Sequence, residues 1–234
     1  MMTTSRIFCD LEGVLIPEMW PHLAEIFDIE ELSITTRDIP DYRGLMRNRL
    51  RLLRENGVGI EGICRAIAAL KPFEGAIDFL ERARSFGHVV IVSDSFSPMN
   101  VSLLKILGVG DILCHRFIIG EDGMIAGCAY WNDLAGKHLC LTRYPGRDRP
   151  TFAIGDAFND LSMIRAATSG VLFNPSPATL KAAPDLQATS SYDIVVTLLE
   201  ETCRQSSGRK ENERFSRGRA MGGQATRKQQ ENPL

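Results

Sequence analysis

Apolar and polar positions along the chain follow two periods, one typical of strands and one typical of helices. Runs rich in β-branched residues predict strands at about 5–10, 88–94, 112–115, 151–156 and 170–173. Helical spacing predicts helices at about 20–28, 41–56, 60–70, 73–86, 97–107, 157–167 and 191–203. The segment 116–131 has the alternation of a hairpin that turns at Asp122–Gly123. Strands that alternate with helices predict an α/β fold with a doubly wound, Rossmann-like parallel sheet.

One block of helices interrupts the alternation of strands and helices. It spans residues 17–71 and is predicted to be a small helical cap inserted after the first strand. Residues 1–16 and 72–203 then form the core domain that contains the sheet. The segment 204–234 is polar and has few apolar residues, so it is predicted to be a disordered basic tail.

The charge of the chain is divided unevenly between its body and its tail. From Arg204 onward there are eight Lys or Arg and three Asp or Glu, a charge of +5, so the total of −2 leaves −7 for residues 1–203. An acidic body argues against nucleic acid as the main partner. The tail is interpreted as a solvated extension, with docking to an anionic surface as the alternative.

The sequence carries no feature typical of a membrane or secreted protein. A spanning helix needs about 18 consecutive apolar residues, which the chain lacks, and its first residues are too weakly apolar for a signal peptide. The six cysteines are scattered without a CxxC pair, which is typical of reduced thiols. We therefore expect a cytoplasmic protein with no membrane partner. The oligomeric state is not defined by the sequence.

Acidic residues follow three of the predicted strands. Asp10 and Glu12 come directly after the first strand, Asp94 ends the second, and Asp156 ends "TFAIGD". The carboxyl ends of parallel strands meet at one edge of the sheet, where ligands bind in such folds, so these carboxylates are expected to lie close together. Their mutual repulsion is costly unless a cation joins them. The pattern therefore predicts a cation site at this edge.

Four short motifs at these strand ends resemble the haloacid dehalogenase superfamily of phosphate-transferring enzymes. They are "DLEGV" from Asp10, "VSD" ending at Asp94, a following lysine, and "GDAFND" ending at Asp160. The run "GDAFNDLSMI" is similar to phosphoserine phosphatases. The segments "DLEGVLIPEMW", "TTRDIPDYRGLM", "RLRLL" and "LKPFEGA" resemble the bacterial bifunctional phosphoserine phosphatase/homoserine phosphotransferases, and this resemblance covers most of residues 6–203. Most of the superfamily has aspartate at the position of Glu12. The bifunctional subgroup resembles this chain in having glutamate there.

The resemblance implies a phosphatase that works through an aspartyl-phosphate intermediate. Asp10 would be the nucleophile, and Glu12 would protonate the departing oxygen and then activate the acceptor. Mg²⁺ would be held by Asp10, the backbone carbonyl of Glu12 and Asp156. Asp160 would support the metal site from outside, and Asn159 would share that role or contact the substrate.

Three further residues are expected around the phosphate. Ser93 would donate its hydroxyl to the phosphate, and Lys137 in "LAGKHL" would balance the phosphate charge. Asp94 would act through its backbone N–H, because its carboxylate would repel phosphate; an ordinary helix-entry residue is the alternative. The segments around Asp94 and Lys137 depart from the subgroup in their local sequence.

Arg49 can be singled out from helical spacing alone. At about 100° per residue it falls in the middle of the apolar stripe of the helix predicted at 41–56. A buried arginine needs an anion, either an internal acid or a substrate carboxylate, and the resemblance favours the substrate. Glu18 would bind an ammonium group, with a solvent-facing glutamate at a helix start as the alternative. Together the two residues would recognise phosphoserine.

The aromatic residues and histidines are assigned no chemistry. Trp20 and Trp131 are candidates for the cleft wall, but packing is the favoured interpretation for each. The histidines show no metal-ligand spacing and are interpreted as structural; they are His22, His88, His115 and His138.

The leading hypothesis is therefore a Mg²⁺-dependent phosphoserine phosphatase. Transfer of the phosphoryl group to homoserine needs only that this alcohol take the place of water, and the motifs do not separate transfer from hydrolysis. A phosphatase for another small phosphomonoester is an alternative, because the local departures lie near the expected leaving group. A non-catalytic binding protein on the same fold is a further alternative, against which the complete catalytic set argues.

Overall fold

A central sheet forms the core of the computed structural model, which describes residues 4–35, 41–144 and 149–206. Its strands are β1 (Ser5–Cys9), β2 (Gly87–Ser97), β3 (Ile112–Ile119), β4 (Ile125–Ala129), β5 (Thr151–Gly155), β6 (Ser169–Phe173) and β7 (Ala188–Thr189). Within the described ranges their order is β4-β3-β2-β1-β5-β6-β7. The β3–β4 pair is antiparallel and the other pairs are parallel. The predicted doubly wound parallel sheet is confirmed, with one antiparallel strand at its edge.

The helices connect the strands and cover the sheet. They are α1 (Met19–Phe27), α2 (Tyr42–Glu55), α3 (Ile60–Ile67), α4 (Ala76–Phe86), α5 (Val101–Ile106), α6 (Cys140–Arg143), α7 (Leu161–Ala166), α8 (Pro177–Ala182) and α9 (192–206). Short 3₁₀ turns occur at Glu30–Ser33, Lys137–Leu139 and Phe158–Asp160. The described helices are too short or too polar to cross a membrane.

Both faces of the sheet are buried against helices. Side chains of successive strand residues point to opposite faces, and in β1 Ile7 and Cys9 join one hydrophobic cluster while Phe8 joins another. β2 divides in the same way, with Ile91 in the first cluster and Val92 in the second. This double burial explains why the sequence reads as continuous β-branched runs instead of alternating apolar and polar residues.

Helices α1 to α3 form the insertion between β1 and α4. Their apolar residues, among them Leu23, Met46 and Ile63, belong to the same buried cluster as Ile91 of the sheet. The insertion therefore packs on the core through continuous apolar contact. The division into a cap at 17–71 and a core at 1–16 and 72–203 stays a prediction.

β2 is longer than the sequence pattern indicates. Val92 pairs with Leu113 and Phe96 pairs with His115, so β2 advances four residues while β3 advances two. The extra residues form a bulge, and β2 continues to Ser97. The helix predicted at 97–107 therefore begins only at Val101.

The last helix also differs from its predicted end at 203. It continues to 206, and the side chain of Arg204 pairs with Glu200 one turn earlier at 2.5 Å. The first three residues of the predicted tail are thus helical. The remainder of that tail, 207–234, lies outside the described residues.

Candidate active site

The carboxyl ends of β1, β2 and β5 meet at one edge of the sheet. Cys9 aligns with Ile91 and with Ile154, so the residues that come next along these three strands face a common cavity of about 750 Å³. The predicted site residues that line this cavity are Asp10, Glu12, Glu18, Arg49, Asp94, Lys137, Asp156 and Asn159. Ser93 and Asp160 are fully buried and are not part of the lining.

The loop after β1 brings the chain back against β5. The N–H of Leu15 donates to the carbonyl of Leu11 at 2.9 Å, and the N–H of Gly13 donates to that of Ile16 at 2.9 Å. Gly13 has a φ of +75°, and a Cβ atom there would lie 2.4 Å from the Asp156 carboxyl group. Glycine is required at this position for both reasons, since it adopts positive φ freely and leaves room for the carboxylate.

Asp10 is held in a defined orientation at the base of the cavity. The residue is 5% exposed. Oδ1 accepts the N–H of Leu11 at 2.7 Å, and Oδ2 lies 2.8 Å from Nζ of Lys137. Burial raises the pKa of Asp10 well above its usual range, and the charge of Asp160 raises it further, while Lys137 acts in the opposite direction. A buried carboxylate with one fixed orientation suits a nucleophile.

Lys137 joins the carboxylates of three elements. Its Nζ lies 2.8 Å from Asp10, 2.7 Å from Asp160 and 4.0 Å from Asp94. Burial alone would lower the pKa of Lys137, but the surrounding carboxylates, that of Asp10 first among them, raise it well above its usual value. The lysine therefore stays charged inside the protein, beside the position where a phosphate would meet Asp10.

Asp160 has both carboxylate oxygens occupied. Oδ1 accepts from Lys137, and Oδ2 accepts the backbone N–H groups of Asp156 and Ala157 at 3.0 Å each. A Cβ at Gly155 would lie 2.3 Å from the Asp160 side chain, so this close approach also needs glycine. The contacts favour a supporting role, in which Asp160 fixes the lysine and the loop that carries Asp156.

The acidic groups fit a divalent cation. Carboxylate oxygens of Asp10, Asp156 and Asp160 lie within 4.8 Å of one another. Burial, with added repulsion from Asp160, raises the pKa of Asp156 to about 7. Carboxylate oxygens are the hard donors that Mg²⁺ prefers, and the charge of Mg²⁺ would offset the repulsion between these groups.

Glu12 turns its side chain toward the start of α1. Its Oε1 accepts the backbone N–H of Met19 at 2.7 Å, beside Glu18. Burial and the charge of Glu18 raise the pKa of Glu12 to about 8, although the Met19 hydrogen bond acts against this. A raised pKa favours the protonated carboxyl group, which is the state that a general acid needs.

Arg49 lies on the apolar face of α2 as predicted and is 4% exposed. Its guanidinium stacks over the Trp20 ring at 4.2 Å from the ring centre, and its Nη2 donates to the carbonyl of Ile34 at 2.7 Å. Among the described residues it forms no salt bridge, and its Nε has no hydrogen-bond partner. Burial lowers the pKa of Arg49 to about 10. The internal ion pair considered for this arginine is therefore not seen in these ranges.

Ser93 lies in the bulged part of β2 and is fully buried beside the cavity. The Ser93 hydroxyl donates to Oγ of Ser95 at 2.8 Å and accepts the Ser95 N–H at 3.0 Å. Its predicted contact with phosphate stays a prediction. Asp94 does face the cavity, and its carboxylate accepts from Nδ2 of Asn159 at 2.7 Å.

Several lining residues were not expected from the sequence. Trp20 lines the cavity although packing was favoured for it, while Trp131 is absent from the lining. Tyr42 also lines it and donates its hydroxyl to the backbone carbonyl of Asp94 at 2.9 Å. Tyr42 precedes Arg49 by seven residues, which places both on one face of α2, so helical spacing was a usable signal. Asn132, from a loop, carried no such signal.

The doubly wound sheet carries a buried carboxylate, a buried lysine and a cluster of further carboxylates at its carboxyl edge, an arrangement suited to an enzyme that transfers phosphoryl groups. Residues 5–168 match the family model for haloacid dehalogenase-like hydrolases. The chain therefore belongs to the haloacid dehalogenase-like hydrolases.

Curated relatives and solved structures agree with this assignment. The chain is 37% identical over 184 residues to phosphoserine phosphatase ThrH of Pseudomonas aeruginosa, covering 79% of this chain and 89% of that protein. It is 38% identical over 184 residues to a phosphoserine phosphatase of Pseudomonas syringae pv. tomato, covering 79% and 77%. A crystal structure of an apo phosphoserine phosphatase superposes with a TM-score of 0.66 at 22% identity, covering 82% of this chain and 96% of that one.

Proposed function

We propose that the protein is a Mg²⁺-dependent phosphoserine phosphatase that acts through an aspartyl-phosphate on Asp10. The observation that carries this proposal is the fixed Asp10 carboxylate, which contacts Lys137 and lies beside Asp156 at the base of the cavity. The names of the curated relatives support phosphoserine as the substrate. The proposed setting is the cytoplasm, and the six free cysteines support a reducing compartment.

The reaction needs two transfers of the phosphoryl group. In the first, an Asp10 oxygen forms a bond to phosphorus while the bond to the serine oxygen breaks, and Glu12 gives its proton to that oxygen. In the second, Glu12 takes a proton from water as the water oxygen bonds to phosphorus, and Asp10 is released. When bound, Mg²⁺ would be held by Asp10, Asp156 and the Glu12 backbone carbonyl and would offset the charge of the phosphoryl oxygens.

The walls of the cavity offer groups for each part of phosphoserine. Lys137 would contact the phosphoryl oxygens, together with the Ser93 hydroxyl and the Asp94 N–H. Arg49 would bind the carboxylate, since its guanidinium is buried without an acidic partner among the described residues. Glu18 would bind the ammonium group. Asn159 would contact the substrate beside the phosphate.

Transfer to homoserine is part of the same proposal. The Asp10 phosphate does not distinguish water from an alcohol, so an acceptor beside Glu12 would receive the phosphoryl group by the second step. The resemblance of the cap segments to the bifunctional subgroup supports this activity. A measurement of phosphohomoserine formed from phosphoserine and homoserine tests it directly.

The proposal is tested with a panel of small phosphomonoesters, with Mg²⁺ or chelator, and with or without homoserine. We expect phosphoserine to be preferred and turnover to require Mg²⁺. Asp10→Asn keeps the size of the side chain but removes the nucleophile, so turnover should collapse while the fold survives. Asp78→Asn, at an exposed position of α4, is the matched control. Substantial activity in Asp10→Asn, or full activity in chelator, would overturn the mechanism, and preference for another phosphomonoester would overturn the substrate.

A further inference from the structure

Asp94 is surrounded by groups from four other elements, two of which bind it by hydrogen bonds. Oδ2 accepts from Nδ2 of Asn159 at 2.7 Å, and the backbone carbonyl accepts from the Tyr42 hydroxyl at 2.9 Å. Nε2 of His115 lies 3.6 Å from Oδ1, longer than a hydrogen bond, and Nζ of Lys137 lies 4.0 Å from Oδ2. The side chain is 28% exposed and lines the cavity.

His115 lies behind Asp94 and is completely buried. Its Nδ1 accepts the backbone N–H of Trp131 at 3.4 Å, which places the proton of the neutral ring on Nε2. The aromatic rings of Phe96 and Tyr130 pack around it, at 5.1 and 4.9 Å between ring centres. Burial lowers the pKa of His115 to about 4, so the ring is neutral at physiological pH.

The Nε2–H of His115 is a buried donor without a hydrogen-bond partner in the described part of the chain. Such donors are rare because an unmade hydrogen bond is costly. Oδ1 of Asp94 is an acceptor only 3.6 Å from this nitrogen. Hydrogen bonds of an active site are often long without ligand and shorten when the ligand binds.

The Asp94 carboxylate in turn decides how Asn159 is oriented. An ionised carboxylate only accepts hydrogen bonds, so Asn159 must turn its NH₂ group toward Asp94, as observed. One N–H of that amide binds Asp94, and the other, which has no hydrogen bond to the described residues, is available to a ligand in the cavity that Asn159 lines. With Asp94 absent, the amide is free to turn over and present its oxygen, which would repel a phosphate.

We infer that His115 and Asp94 are positioning residues for phosphate recognition. The Nε2–H of His115 fixes the Asp94 carboxylate, and that carboxylate holds the Asn159 amide with an N–H toward the phosphoryl group. The inference rests on the proposed function in that the ligand is a phosphomonoester. It adds a role for the Asp94 carboxylate to that of the Asp94 backbone N–H, and it gives His115 a role although the sequence interpretation treated this histidine as structural.

Phosphate binding to the full-length protein in the presence of Mg²⁺ distinguishes a positioning role of Asp94 from an effect of its negative charge alone. Asp94→Ala removes a negative charge near the phosphate, so charge alone would make inorganic phosphate bind more tightly. The inference expects the opposite, a loss of roughly five- to tenfold in phosphate affinity measured by calorimetry. Unchanged or tighter binding by folded Asp94→Ala would overturn it.

Variants of His115 test the second step. His115→Phe keeps a ring but removes the donor, and it should weaken phosphate binding by roughly three- to tenfold. His115→Gln can place an N–H near the position of Nε2 and should restore most of the affinity. In an Asp94→Ala background, His115→Phe should have no further effect on phosphate affinity, because the residue acts through Asp94. Equal added losses in both backgrounds would show that His115 is merely structural.

The controls separate failure of this inference from failure of the proposed function. His88→Phe changes an exposed histidine outside the cavity and should bind phosphate as the unaltered protein does. Thermal unfolding verifies that each variant is folded. Absence of phosphoserine turnover in the unaltered protein would contradict the proposed function, while the phosphate affinities would still decide the roles of His115 and Asp94.

Discussion

Arg49 is a residue whose surroundings constrain what the cavity can bind. Its guanidinium is buried and stacks on the Trp20 ring. Of its N–H donors, one on Nη2 binds the Ile34 carbonyl. Within the described ranges no acidic side chain pairs with it. A buried charge without an acidic partner is costly, so a ligand carboxylate that pairs with Arg49 would bind favourably. This is the physical basis for expecting an amino-acid substrate.

Arg49→Ala should lower kcat/KM for phosphoserine far more than for phosphoethanolamine, which has no carboxylate. A charge-assisted contact is worth about 1.5–3 kcal/mol, so the preference between the substrates should shift by roughly 10- to 100-fold. Arg49→Lys should rescue little, because lysine lacks the planar fork. Arg47→Ala, at an exposed position of the same helix, is the control. Equal losses on both substrates would show that Arg49 contacts phosphate or only stabilises the fold.

Trp20→Leu should affect the same selectivity through Arg49. The stacked ring limits the orientations of the guanidinium, and a cation–π contact contributes about 0.5–2 kcal/mol. We expect the preference for phosphoserine over phosphoethanolamine to fall by roughly three- to tenfold in Trp20→Leu and less in Trp20→Phe, which keeps an aromatic face. A Trp20→Leu enzyme with unchanged preference would mean that the ring only packs against its neighbours.

At the scale of elements, the predictable parts of the site are those that topology brings together. Asp10 and Asp156 end neighbouring parallel strands, so their meeting at one edge follows from the order of strands and helices alone. Arg49 was also predictable, because a charged residue inside an apolar stripe conflicts with the helical pattern.

The bulge in β2 shows why other parts of the site could not be predicted. A pattern of Ser93, Asp94 and Ser95 after an apolar run indicates the end of a strand, because these residues are polar. In the structure both serines are buried and bonded to each other, and the strand continues to Ser97. The approach of His115 to Asp94 depends on the pairing of β3 beside this bulge, which no local pattern encodes.

Gly13→Ala tests the loop between β1 and α1. The new Cβ would lie 2.4 Å from the Asp156 carboxyl group, at a φ of +75°. Gly57→Ala is a matched control, because its φ is +67° but a Cβ there meets open space. In both variants a non-glycine residue at positive φ should lower the free energy of unfolding, measured in denaturant, by about 1–2 kcal/mol. Only Gly13→Ala should also lose more than about tenfold in Mg²⁺-dependent turnover, since a displacement near 1 Å can cost that much.

For the whole molecule, the buried carboxylates should make stability depend on a cation. Asp10, Asp156 and Asp160 lie close together, and their repulsion opposes folding. Saturation with Mg²⁺ at about 100 times its dissociation constant should stabilise the protein by about 2.7 kcal/mol, which raises the unfolding temperature by several degrees. Asp156→Ala should lose most of this shift. A shift of equal size in Asp156→Ala would show that Mg²⁺ binds elsewhere.

The acid stability of the whole molecule should depend on His115. Its pKa is lowered to about 4 in the folded protein, where burial disfavours the charged ring despite the nearby Asp94 carboxylate, and Lys137 lowers it further. In the unfolded chain the pKa is near the ordinary value of about 6.5, so between these values the unfolded chain binds a proton that the folded protein does not.

The free energy of unfolding should therefore decrease as pH falls through this window, by at most about 1.4 kcal/mol per pH unit from this one group.

The tyrosines packed around the ring, Tyr42 and Tyr130, do not ionise in this range, since burial raises the pKa of each. His115→Gln removes the titrating group, so on going from pH 7 to pH 4.5 it should lose less free energy of unfolding, measured in urea, than the unaltered protein does. His22→Gln, whose ring contacts only the Ala66 carbonyl by hydrogen bond in the described ranges, is the control and should keep the full pH dependence. Equal pH dependence in His115→Gln and the unaltered protein would mean that His115 is accessible to protons in the folded state, which the packing around it opposes.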